Sequence, residues 1–189
     1  MQHVLPRLFR NPRSSGLFIL LGVALLVGYV FLLEHEERTM DAYYSDLRDS
    51  NPARYLTEIR QAHGFQVYLD EYLALNDYKT PTTDVPPFLI GRWSLFEEEK
   101  RVGDDFIPSS CLLSLEIEDE RLKLLSEDKT VFPVAYTMDG DIATAHRPDG
   151  APVLIQVVAY GSHVHHIEVQ NLPGVPASAD GPLYGYLCR

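Results

Sequence analysis

The first 33 residues contain no acid and no lysine, and their only charges are Arg7, Arg10 and Arg13. Between Gly16 and Leu33 there is no charged residue and no proline. All 27 acids follow Leu33, against 13 of the 16 bases, which leaves that part with a net charge of −14. So acidic a region repels nucleic-acid backbones and anionic headgroups, which excludes both as general partners. Cysteine is scarce as well: Cys111 and Cys188 are the only two. They make no CxxC, which removes a thioredoxin-like redox role. Two cysteines allow one intramolecular pairing, which an oxidising compartment permits; two thiols are the alternative. Catalytic signatures are missing too. There is no HExxH, no Cys/His zinc spacing, no Gly-x-Ser-x-Gly elbow and no phosphate-binding glycine pattern.

What is present starts with Gly16–Leu33, GLFILLGVALLVGYVFLL. As a helix it spans roughly 27 Å, close to the thickness of a hydrocarbon core. The arginines lie before it, and Glu34, Glu36 and Glu37 lie after it. The positive-inside rule then puts residues 1–15 in the cytoplasm and the acidic part across the membrane. A cleavable signal peptide has the same orientation, but its apolar region is normally 7–15 residues and ends in small residues. Here the run is longer and ends FLLEHEERTM. The expectation is an uncleaved, single-pass anchor at 16–33, most simply in a bacterial inner membrane, which makes the bilayer itself one partner.

Residues 34–75 read as a membrane-proximal segment of helix and strand. Helix formers run from Glu34 to Asp49, with Met40, Tyr43, Tyr44 and Leu47 as a sparse apolar stripe. Asn51-Pro52 opens a new helix, PARYLTEIRQAH, and Gly64 can end it. FQVYL at 65–69 alternates and predicts a short strand. Residues 76–87 hold three prolines and read as a linker.

From 88 to 189 the pattern is antiparallel β, a small barrel or sandwich. Candidate strands are 88–97, 110–118, 121–126, 131–137, 141–146, 153–160, 163–170 and 183–188, separated by turns such as Asp139-Gly140 and Gly161-Ser162. Pro133 cannot donate to a ladder, so its strand must be an edge or contain a bulge.

Gly91-Arg92-Trp93, preceded by the apolar FLI, resembles the start of a lipocalin or other calycin-type barrel over residues 88–189. The resemblance implies that Trp93 closes one barrel end, that Arg189 packs across it, and that Cys111 and Cys188 are bridged. It also implies a small apolar ligand as a possible partner. The chain departs from the family in its short domain and in lacking the other family signatures. Packing alone would also bury a lone tryptophan on an apolar strand.

One local cluster carries possible chemistry. His163 and His165 share a strand face by alternation, and His166 shares the other with Glu168. His163 and His165 are candidate metal ligands, with His146 or Glu168 as a third. Satisfied or solvent-facing histidines are the plainer alternative, and proton-linked behaviour is another. The acids Glu97–Glu99, Asp104, Asp105, Asp139, Asp141 and Asp149 lack calcium-loop spacing. Ser162 stands beside His163, where strand alternation points the two apart. No cofactor is expected. The sequence thus favours a non-catalytic, membrane-anchored accessory or assembly subunit whose β domain contacts a membrane protein or complex. The alternatives are a calycin-like ligand carrier and a metal-dependent enzyme built on the histidines.

Overall fold

The computed structural model describes residues 12–100, 106–126, 129–175 and 181–188, with the side chains of the first helix described from Leu20 onward. The chain forms two compact units, Met1–Pro52 and Ala53–Arg189. The first is a single helix, α1 (Pro12–Ser50). No proline or glycine pair interrupts it past Pro12, and Leu20 to Leu33 are solvent-exposed. Among the described residues no helix is long and apolar enough to cross a membrane. The described apolar run, Leu20–Leu33, is about 21 Å long before Glu34, shorter than a hydrocarbon core of about 30 Å.

The second unit opens with α2 (Pro52–His63) and α3 (Phe65–Leu75). The expected strand at 65–69 is therefore helical. Five alternating residues cannot distinguish the two periods, and the next turn decides: Phe65, Tyr68, Leu69 and Tyr72 are all buried, at helical spacing. Gly64 bends the chain between the helices with φ of 87°. A Cβ there would lie 3.0 Å from the Gly161 carbonyl oxygen, which accepts the Phe65 N–H at 2.7 Å. Arg60 completes this seam. Its Nε donates to the Ser162 carbonyl at 2.7 Å, and its guanidinium lies over the Phe65 and Tyr68 rings.

Among the described residues nine strands follow: β1 (Gly91–Phe96), β2 (Ser114–Glu118), β3 (Arg121–Leu125), β4 (Thr130–Pro133), β5 (Ala135–Asp139), β6 (Ile142–His146), β7 (Val153–Tyr160), β8 (His163–Gln170) and β9 (Leu183–Leu187). They form one antiparallel sheet in the order β4-β3-β2-β1-β9-β8-β7-β6-β5. The two edge strands, β4 and β5, are consecutive and separated by Val134 alone, so the ribbon curls into a nearly closed barrel. Pro133 sits at this break, where no ladder N–H is required. The free side of β5 is covered from within the chain. Thr82 and Tyr136 exchange both backbone hydrogen bonds, and Met138 N–H donates to the Tyr78 carbonyl. Residues 76–87, whose composition suggests a linker, thus close the barrel's open seam.

Strict alternation fills the interior. Leu115, Ile117, Leu122, Tyr136, Ala143, Ile155 and Ile167 have no exposure at all, and Trp93 is buried among them. Gly185 faces Leu95 and Ile167 across its two ladders. A Cβ there would come within 2.6 Å of Ile167 Cγ1 and 3.3 Å of Trp93 Cβ. The architecture is compatible with a lipocalin-like barrel.

Candidate functional site

Gly91 starts β1 with φ of 141°, and an added Cβ would lie 2.9 Å from Leu187 Cδ1. Glycine is therefore required at the head of the Gly-x-Trp for both conformation and space. The Trp93 indole N–H donates to the Leu89 carbonyl at 2.9 Å, which satisfies its one polar group inside the core. Arg189, expected beside this ring, lies outside the described residues.

Cys111 and Cys188 are bridged, with Cα atoms 6.4 Å apart. The bridge fastens the chain after β1 to the end of β9. Arg92, to which the sequence reading gave no role, reinforces it. Its Nε donates to Ser114 Oγ at 2.8 Å and its Nη2 to the Cys111 carbonyl at 2.5 Å. Leu112 and Leu187 are the chain neighbours of the bridged cysteines, and Ile90 precedes Gly91. These three apolar side chains are exposed, Leu112 by 82 %. Flanking the disulfide and the Gly-x-Trp in the chain, they are the apolar rim of this end.

The second cluster covers the outer face of β1, β9 and β8. Phe96, Phe106 and Tyr186 pack edge to face, and Lys100 N–H donates to the Tyr186 hydroxyl at 2.7 Å. The His166 ring stacks on Tyr186, with centroids 5.4 Å apart, and His165 meets Tyr186, Tyr160 and His166 edge to face. A register shift at Val158/Ala159 produces this arrangement: Val158 pairs with His166 and Ala159 with Val164, so His165 is the unpaired extra residue. The bulge breaks the alternation that would put His165 and His166 on opposite faces. A one-residue slip leaves no mark in a single sequence, so the pairing of the two rings was not readable.

His163 is exposed and meets Ser162 Oγ through Nδ1 at 2.9 Å. His146 meets Thr137 Oγ1 across β5 and β6, with β7 between it and β8. His146 thus lies two strands away from the histidines of β8. Among the described residues no three His, Cys, Asp or Glu side chains are placed to hold a metal ion. Asp104 and Asp105 lie outside the described residues, and Asp141 accepts from the Gln156 side chain at 3.1 Å.

His166 is fully buried, and burial, followed by the neighbouring charge of His165, holds its pKa below the ordinary imidazole value, with Glu99 opposing. Burial pushes Glu168 upward, and the charges of Glu99 and Asp141 add to this. Burial also raises the Tyr186 phenol, against the hydrogen bond from Lys100 N–H. Burial thus disfavours the charged forms of His166, Glu168 and Tyr186 on this face. No family model, no curated protein and no solved structure matches the chain.

Proposed function

We propose that this chain is a membrane-anchored, non-catalytic accessory subunit whose calycin-like barrel binds a membrane-protein partner through its outer surface. The observation that carries the reading is the filled barrel interior. Trp93, Tyr136, Leu115, Ile117 and Ile155 occupy it, and Gly185 is a position where one further carbon already collides. A small barrel either fills with side chains or holds one small ligand, and these buried side chains favour the first. Recognition then falls to the outside, where Ile90, Leu112 and Leu187 are exposed apolar side chains beside the disulfide and the Gly-x-Trp in the chain. Gly16–Leu33 is the anchor in this reading, with the arginine-bearing end in the cytoplasm and the barrel across the membrane.

Photocrosslinking in native membranes tests the proposal. A photoreactive residue at Leu112 should give one discrete adduct with a membrane protein. The same residue at Val131, an exposed position on β4, should not. Equal labelling from both positions, or none from Leu112, rejects the rim as the contact. A lipid-sized molecule retained by the folded protein in native mass spectrometry would favour the ligand-carrier reading instead.

A further inference from the structure

His166 has no exposed surface, yet its Nε2 has no hydrogen-bond partner. That nitrogen faces two carboxylates, Glu168 at 3.8 Å and Glu99 at 3.9 Å. Its other nitrogen, Nδ1, lies 2.7 Å from His165 Nδ1. This last contact is a hydrogen bond only if one of the two nitrogens carries a proton and the other does not. We propose that His165 and His166 form a two-proton latch that holds residues 96–100 on the outer face of β8 and β9 and releases them on acidification.

The stoichiometry follows from the contact. With both rings neutral, the carboxylates favour a proton on His166 Nε2, so His165 Nδ1–H donates to His166 Nδ1. One added proton leaves the bond intact, because a charged ring donates through Nδ1 to its neutral neighbour. A second proton puts two Nδ1–H donors face to face at 2.7 Å. That arrangement has no acceptor, so the rings must separate. His166 cannot move without disturbing Tyr186, on which it stacks, and the Tyr186 hydroxyl accepts the Lys100 N–H. Segment 96–100 thereby feels the second proton.

The surroundings set the direction. From β8, Glu168 faces His166; from the chain after β1, Glu99 does; from β9, the Tyr184 and Tyr186 rings pack on it. Tyr160 of β7 meets His165, and Asp141 acts on Glu168 from the β5–β6 turn. His166 is held below its ordinary 6.5. Its contribution to stability is therefore present above that value and lost as pH falls toward the folded one. Glu168, held above its ordinary 4.5, has the opposite sign: its contribution is present below 4.5 and lost as pH rises through its folded value. Protonating it also removes one counter-charge for the imidazolium. The release belongs to the interval just below the imidazole range.

The test uses the full chain in detergent micelles. Ring-nitrogen NMR across about pH 7 to about pH 4.5 should show the two histidines titrating in separate steps, the second displaced to acid. Amide exchange at Lys100, corrected for intrinsic rates, should lose about tenfold protection over the second step, the change carried by one pKa unit of linkage. His165→Phe keeps a ring against Tyr160 and Tyr186 but removes the second donor, and its Lys100 protection should be flat with pH. Two overlapping steps at the ordinary imidazole value, or Lys100 protection unmoved in the native chain, overturns the proposal. So does displacement of both titrations by micromolar zinc, which would make the cluster a metal site. The titration in the unsubstituted protein decides the matter even if His165→Phe does not fold.

Discussion

At the scale of single residues, the interior leaves no slack, and two substitutions measure this from opposite sides. Gly185→Ala adds one carbon where Ile167 Cγ1 already lies 2.6 Å from the added position. The expected cost is about 1–3 kcal/mol from overpacking. Beside Ile167→Ala, which removes both the Cγ1 at 2.6 Å and the Cδ1 at 3.2 Å, the added carbon should cost less than it does beside Ile167, and urea unfolding of the single and double variants reads the difference. If Gly185→Ala proves neutral, the interior has a void and the ligand-carrier reading regains ground. Trp93→Ala is the reverse experiment. It empties the largest fully buried side chain and leaves the Leu89 carbonyl without its donor. A loss of about 3–5 kcal/mol is expected. Trp93 is the only tryptophan, so its emission should be blue-shifted in folded protein and move red on unfolding. A fully hydrated maximum in the native state contradicts its burial.

At the scale of elements, the disulfide ties two segments that no ladder joins directly. Cys111 precedes β2 and Cys188 follows β9, with a separation of 77 residues. Reduction should cost about 2–4 kcal/mol, mainly by freeing the unfolded chain. Thermal melts with and without reductant measure this, and Cys111→Ser with Cys188→Ser should match the reduced protein. Unchanged melting after verified reduction would show that Arg92 and the ladders alone hold that corner. What the sequence revealed of these elements followed the strength of their periodicity. β7 and β8 occur at the expected 153–160 and 163–170 because long alternating runs bounded by Gly161-Ser162 admit one reading. Segment 65–69 was read as a strand because five residues cannot separate a period of two from one of 3.6. The β4–β5 break was half legible: Pro133 marked an irregularity, but only the fold shows that Thr82 covers the exposed side of β5. Of the site, Trp93 and the cysteines were visible as rare residues. The His165–His166 pairing was not, since it depends on a bulge set by β7.

At the scale of the whole molecule, the decisive question is whether α1 holds the chain in a bilayer. The helix has 39 residues and is about 58 Å long, but its described apolar run, Leu20–Leu33, covers only about 21 Å of that. Its composition changes abruptly at Leu33–Glu34, from an uncharged run to one bearing Glu34, Glu36, Glu37 and Arg38. Leu20–Leu33 are exposed. The expected outcome is that the full chain stays with membranes through alkaline extraction, while a variant lacking residues 1–33 is released. Mass analysis of the mature protein should find those residues still attached; a chain beginning near Glu34 would instead make the run a cleaved signal. Orientation has its own test. Protease added to cells with a permeabilised outer envelope should digest residues 34–189 while the inner membrane is intact. Replacing Arg7, Arg10 and Arg13 with glutamate removes the charge asymmetry that sets the direction, so part of the population should then become protected. Protection of the unsubstituted domain would put the barrel in the cytoplasm. There a reducing environment would also leave the Cys111–Cys188 bridge without a reason to persist.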